Sequence, residues 1–300
     1  MVEKTPVEYF DRYSGEIRSE KIYGERWLRW IYEKPLGRLM LWTLVRTSLF
    51  SKWYGYRMKT SASRARIEPF IHEFGIDPEE LEDSVSSFAS FNDFFIRRLK
   101  STARPICGGE KTAVFPADGR HLGFNDVSQL KLVFAKGQSF DLSRLFGSME
   151  DADPYEEGAL LISRLCPVDY HRFHFPVSGN ATKPTLINGW LYSVNPIALG
   201  RNLSILWENK RYLSFVDDKI FGRVASFEIG ATCVGSVSYC GSLPSRVSKG
   251  EEKGWFNFGG SMTLTFFQKN RIRLSEDLLC HSREGRETYA KMGDAMGRAP

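Results

Sequence analysis

Residues 256–267 read Phe-Asn-Phe-Gly-Gly-Ser-Met-Thr-Leu-Thr-Phe-Phe. Two permissive glycines stand directly before Ser261, and an alternating β-type run follows it at once. Working outward, short runs of the same kind recur from about Ala113 onward, among them Leu160–Leu165, Thr185–Ile187, Arg223–Ile229 and Thr232–Ser238, divided by Gly, Pro, Asn and Asp turns. The first hundred residues have a different texture. Trp27, Leu28, Trp30 and Ile31, then Leu36, Leu39, Met40, Leu41, Leu44 and Val45, predict helix over residues 20–60, broken in two at Pro35 and Gly37. Asp77-Pro78-Glu79-Glu80-Leu81 predicts a helix start with an N-cap, a proline at N1 and acids in the first turn, and Ser90-Phe-Asn-Asp93 predicts another. Helices first and strands afterwards give an α+β chain: N-terminal amphipathic helices over residues 1–100, then a mainly antiparallel β-rich body over 101–300.

Charge is unevenly spread along the 300 residues, whose net charge is +5. From Lys34 to Arg66 the chain carries eight basic residues and no acidic one, a patch that attracts phosphates of lipid heads or nucleic acid unless it is simply a solvated face. Four of the seven tryptophans, Trp27, Trp30, Trp42 and Trp53, fall in the first 53 residues, among Arg and Lys. That is the pattern of a helix lying in a membrane interface; the alternative is a stripe packed on the chain's own core. The N-terminus is polar and mixed in charge, unlike a secretory signal, and the apolar run Leu39–Val45 is far short of the ~20 residues that span a bilayer. The expectation is a peripheral protein at the cytoplasmic face of a cell membrane, with no transmembrane helix. Five cysteines without a CxxC pair read as small buried hydrophobes, and no metal site is expected.

Three short stretches can carry chemistry: Phe115-Pro-Ala-Asp-Gly-Arg120, Asp169-Tyr-His-Arg-Phe-His174 and Gly259-Gly-Ser261. Alone, each has a plain structural reading as a turn, a satisfied histidine pair or a hairpin loop. Together they suggest a relay in which Asp118 orients His174 and His174 activates Ser261. A serine hydrolase needs G-x-S-x-G on a strand-to-helix turn, whereas here the serine leads into a strand. An activated hydroxyl in that place lies beside the carbonyl of Gly260 in its own chain, so the pattern permits self-attack by an N-to-O acyl shift, followed by cleavage.

PADG, the DYHRFH block and Lys249-Gly-Glu-Glu-Lys-Gly-Trp-Phe-Asn-Phe-Gly-Gly-Ser261 together resemble the phosphatidylserine decarboxylase family. The similarity runs on through Ser90-Phe-Asn-Asp-Phe-Phe95, Ala103-Arg-Pro105, Lys136-Gly137, Leu191-Tyr-Ser-Val-Asn-Pro196 and Gly230-Ala-Thr-Cys-Val-Gly-Ser236, over about residues 88–270. The resemblance implies cleavage between Gly260 and Ser261 into a β chain of 1–260 and an α chain of 261–300, with Ser261 converted to a covalent pyruvoyl group. It implies that the substrate's amine forms a Schiff base there, that phosphatidylserine becomes phosphatidylethanolamine and CO2, and that His171 donates the proton, with Asp169 in support. It further implies a homodimer, and the basic helices then meet anionic lipid and not nucleic acid. A related decarboxylase of a soluble amino acid, a serine hydrolase, and a non-catalytic lipid- or nucleic-acid-binding module are the other readings weighed. The family usually has a second small hydroxylic residue after the serine; here it is Met262, and processing is expected all the same.

Overall fold

The computed structural model describes residues 7–130, 140–200, 202–231, 237–241 and 245–300. Lys136-Gly137, Cys233 and most of the expected strand Thr232–Ser238 lie outside the described residues; Val237 and Ser238 belong to the strand Val237–Tyr239. Among the described residues, an eleven-stranded sheet forms the body. Its middle runs Arg211–Asp218, Gly222–Gly230, Ser261–Phe267, Ala159–Leu165 and Gly119–Phe124, each strand antiparallel to the next. All seven residues of Ser261–Phe267 are buried. Their alternation serves two cores at once: Met262, Leu264 and Phe266 pack with Phe227 and Ile229 on one face, and Phe267 packs with Leu161 and Val224 on the other.

Two smaller three-stranded sheets flank this body. One pairs Val237–Tyr239, Glu252–Phe256 and Arg172–His174, and its middle strand leads into the Gly-Gly hinge. It is tied to the large sheet by a buried ion pair. Lys253 Nζ reaches Glu228 Oε1 at 2.5 Å and Ser214 Oγ at 2.7 Å, and both charged side chains are 2% exposed.

The N-terminal third is more than helices. Glu8–Asp11 and Glu16–Ser19 form a hairpin that extends the large sheet, with Glu8–Asp11 running parallel to Glu287–Ala290. Both strands are short and polar, and the first pairs with a segment far along the chain, so local pattern does not announce them. Helices follow at Glu25–Glu33, Pro35–Met40 and Ser48–Lys59, with a wide turn at Leu41–Val45. Pro35 opens its helix at the first position, where its missing N–H is not needed. Gly37 permits close packing, since a Cβ there would fall on the Trp30 carbonyl. Ser90 caps the helix Phe91–Phe95 by accepting from Asp93 N at 3.2 Å, while Asp93 accepts from Ala89 N at 2.9 Å. At Asp77 the cap forms, but only a single 3₁₀ turn follows, because Leu81 is drawn into the core and bridges Leu99.

These helices have two faces. Ile31, Tyr32, Leu41 and Val45 join the main core. Leu36, Leu39, Trp42, Leu49, Trp53 and Tyr56 are exposed, Leu49 to 76% and Tyr56 to 71%. This exposed apolar surface lies on the same stretch of chain as the basic residues. Arg46 holds this unit to the body by stacking over Trp190 at 4.0 Å and Trp42 at 4.7 Å and donating to Tyr192 Oη at 2.7 Å. No described helix is long and apolar enough to cross a membrane.

Lys253→Met would strand Glu228 in a dry interior. The expected loss is about 3–5 kcal/mol of unfolding free energy in urea, with part regained in the double variant that adds Glu228→Gln. A loss below about 1 kcal/mol would mean that the pair does not tie the two sheets.

Candidate active site

The hinge crosses from the small sheet to the large one. Along Glu252–Phe256, Glu252 pairs with His174 and Trp255 with Arg172, with a bulge between Glu252 and Gly254, and Phe256 N donates to His171 O at 3.0 Å. Five residues later Ser261 sits between Leu165 and Gly230 in the large sheet. The crossing is held by the short helix Phe91–Phe95. Asn92 Oδ1 accepts from Phe258 N at 2.9 Å, and Asn92 Nδ2 donates to Asn257 Oδ1 at 3.2 Å. Phe258 is buried against Phe91, Phe95, Tyr23 and Tyr54.

The two glycines have different reasons. Gly259 has φ of 141°, which side-chain-bearing residues avoid. At Gly260 a Cβ would meet nothing nearer than Val194 at 4.0 Å, so this position offers space beside Ser261. Ser261 is fully buried, and its Oγ has no hydrogen-bond partner among the described residues. Buried hydroxyls are nearly always bonded, so an exception asks for a chemical reason.

His171 and His174 show the same feature. His171 Nδ1 lies 3.0 Å from Asp169 O and must carry the proton there, which leaves Nε2 as a lone pair without a partner. Burial, with the Arg97 charge added, pushes its pKa down to about 3. The Gly259 carbonyl near the ring favours the charged form, but its alignment falls short of a hydrogen bond. His174 is anchored through its backbone N to Pro116 O at 2.7 Å, and its Nδ1 has no partner among the described residues. Burial lowers its pKa to about 4, against the pull of Glu252 and Asp118. Both imidazoles are therefore neutral bases at neutral pH.

Asp118 does not hydrogen-bond His174. Its carboxylate takes Arg104 Nε at 3.0 Å, Arg104 Nη2 at 2.6 Å and Met292 N at 2.8 Å. Of the expected relay, Asp118 acts on His174 only through space, and Ser261 Oγ bonds neither among the described residues. The sequence alone does not say which cation reaches a carboxylate first, and Arg104, quoted only as part of a motif, is the one that does. Asp169 is likewise held by Arg120 Nη1 at 2.6 Å and Cys166 N at 2.7 Å, while burial pushes its carboxyl pKa up. Asn92 and Arg97 also escaped notice. Arg97 is buried over the Phe94 ring and donates to Val168 O and Asp169 O, both at 3.1 Å. Its place after the Phe94-Phe95 pair was its only signal.

A cavity of about 700 Å³ opens beside this cluster. Gly259 and Gly260 line it together with Trp27, Met40 and Trp53, which belong to the exposed apolar helices. Its polar wall includes Glu20, Lys21, Arg164, Ser193 and Asn195. Arg164 is neutralised by Glu20 and Glu287, whereas Lys21 has no ion pair among the described residues.

Against known proteins, the profile of the phosphatidylserine decarboxylase family matches residues 91–298. The chain is 40% identical to a phosphatidylserine decarboxylase proenzyme of Fusobacterium nucleatum, over 97% of both chains. It is 42% identical to one of Chlamydia muridarum over 97% of this chain and 96% of that one, and 38% identical to one of Clostridium botulinum over 97% and 99%. By profile and by near-full-length relatives alike, the chain belongs to the phosphatidylserine decarboxylase family.

Proposed function

We propose that the chain is a self-processing phosphatidylserine decarboxylase that works from the surface of an anionic membrane. The observation that carries this is the buried Ser261 Oγ next to Gly260, unpartnered among the described residues, with the neutral imidazole of His171 beside Gly259 and that of His174 three residues further along the chain. Ser261 Oγ attacks the Gly260 carbonyl carbon, and the amide nitrogen leaves as an amine, so that an ester replaces the peptide bond. A base, for which His174 is the candidate, takes the hydroxyl proton as the attack begins. Loss of the Ser261 Cα proton then breaks the Cβ–Oγ bond, freeing the Gly260 carboxylate and leaving dehydroalanine at 261. Water converts that residue to a pyruvoyl group and ammonia. The products are a β chain of 1–260 and an α chain of 261–300.

The site fits such a group: position 261 is dry, has room at Gly260 and carries no competing hydrogen bond among the described residues. A pyruvoyl ketone supplies the electrophilic carbonyl and electron sink that no ordinary side chain provides for decarboxylation. His171 holds its Nδ1 proton on Asp169 O, so it hands over a proton through Nε2 only after accepting one there. Asp118 and Asp169 keep their neighbours in place through their salt bridges to Arg104 and Arg120. Met262 points to the opposite face of the strand, into the core with Phe227, so residue 262 does not share the Ser261 environment.

The cavity favours a lipid over a soluble amino acid, because its wall joins the hinge glycines to the exposed Trp27 and Trp53. In the uncleaved chain Gly259 and Gly260 line that cavity and Ser261 is fully buried, so cleavage frees the segment covering position 261. The lipid's acyl chains would lie among the exposed apolar residues, and Lys21 would supply a charge for the phosphodiester. Lys and Arg of residues 34–66 would hold the face against anionic lipid, worth about 1 kcal/mol each near the surface. A homodimer fits the family, and position 261 stays on one chain.

Purified protein given phosphatidylserine vesicles labelled in the serine carboxyl is expected to release labelled CO2, and Ser261→Ala to release none. Wild-type protein that binds the vesicles but releases no CO2 would overturn the proposal. In flotation assays, Leu49→Ser with Trp53→Ser is expected to cut binding to anionic vesicles by about tenfold or more, since each removes a side chain worth roughly 1.5–3 kcal/mol when buried. Unchanged binding would place the lipid-facing surface elsewhere.

A further inference from the structure

We infer that Asn92 is a positioning residue for chain cleavage, holding the Asn257–Phe258 end of the hinge so that the Gly260 carbonyl meets Ser261 Oγ. This rests on the proposal that the chain cleaves itself at Gly260–Ser261, and adds what sets the geometry of that step. The scissile bond has one firm side, because Ser261 is fixed in the large sheet between Leu165 and Gly230. The other side is two glycines, one in a conformation reserved for glycine and one with free space around it. Left alone, such a segment samples many arrangements, and few of them bring carbonyl and hydroxyl within attack distance.

Asn92 removes most of that freedom at the last residue before the glycines. It is 5% exposed, and both ends of its amide are used: the oxygen on Phe258 N at 2.9 Å, the nitrogen on Asn257 Oδ1 at 3.2 Å. No aliphatic side chain can do both, and a carboxylate can only accept. The helix that carries Asn92 is itself pinned. Phe91 N donates to Ser63 Oγ at 2.9 Å, and Ser63 Oγ in turn donates to Met58 O at 2.8 Å. The same helix places Phe95 against His171, with ring centroids 3.9 Å apart. One five-residue helix thus sets both the hinge and a site histidine, and it hangs on the unit that bears the exposed apolar face.

The test follows cleavage over time by denatured intact mass after cell-free synthesis of the full chain, alongside thermal unfolding of each variant. Asn92→Ala is expected to fold and to cleave at least about tenfold more slowly than wild type, since a shift of about 1 Å at a reacting pair costs rate on that scale. Asn92→Asp, which still accepts from Phe258 N, is expected to fall between the two. Ser90→Ala removes the cap of the same helix without touching the hinge and is expected to cleave within about twofold of wild type despite a similar loss of stability. The inference is overturned if Asn92→Ala cleaves at the wild-type rate, or if Ser90→Ala slows cleavage equally. If Asn92→Ala does not fold, Asn257→Ala replaces it: slower cleavage at an unchanged unfolding midpoint supports the inference, and a wild-type rate overturns it. Wild-type protein that never cleaves would instead refute the self-processing proposal itself.

Discussion

An unpartnered hydroxyl in a dry interior costs about 1–3 kcal/mol, and Ser261, unpartnered among the described residues, bears that cost at the first position of a strand buried along its whole length. The surrounding structure is what makes it tolerable. Apolar side chains on the neighbouring strands, among them Phe227, Ile229, Leu161 and Val224, hold the strand from both faces. Two sheets meet at the four residues before it, and a helix from the N-terminal third grips the first two of those with the Asn92 side chain. Each of these elements would have an easier solution if residue 261 were alanine. A strand placed to stabilise the fold alone would not begin this way.

Electrostatics complete the frame. Arg104–Asp118, Arg120–Asp169, Arg164 with Glu20 and Glu287, and Lys253–Glu228 are ion pairs with little or no exposure. Buried pairs of this kind stabilise weakly in themselves, but breaking one is expensive, so they fix where the backbone can go. They also spend the local carboxylates on arginine and lysine, and His171 and His174 are left without an ionic partner of their own. Burial then decides the imidazoles' state, and it decides for the neutral form. With folded pKa values depressed below the ordinary histidine value, this neutrality stabilises the fold above pH ~6.5 and is lost progressively as pH falls toward the folded values of about 3 and 4.

Much of this was legible in the residues. The strands at 160–165, 223–229 and 261–267 follow from alternation, the helix break from Pro35, and the cap at Ser90 from its reciprocal partner Asp93. The three stretches around Asp118, His174 and Ser261 lie far apart in sequence, and among the described residues Ser261 Oγ bonds neither of the other two while Asp118 bonds Arg104. What could not be read is pairing at a distance. Glu8–Asp11 finds its strand partner at Glu287–Ala290, Asp118 finds Arg104 before it finds a histidine, and Asn92 reaches Asn257 and Phe258. Residue type and spacing describe what a side chain can bond, whereas the partner is chosen by a fold in which several candidates compete. The outward half of the N-terminal helices was the reverse case. One side of these helices is the core stripe, and the other leaves the apolar side chains exposed, as an interfacial face requires.

The most direct measurement is the denatured intact mass of freshly purified protein, read together with Ser261→Ala. Two chains split between Gly260 and Ser261, the smaller with an N-terminus lighter than serine by the mass difference of a pyruvoyl group and blocked to Edman degradation, are expected for wild type, and one intact chain for the variant. A single intact chain in both, from protein that folds and binds anionic vesicles, would contradict the account of Ser261 as a self-cleaving nucleophile.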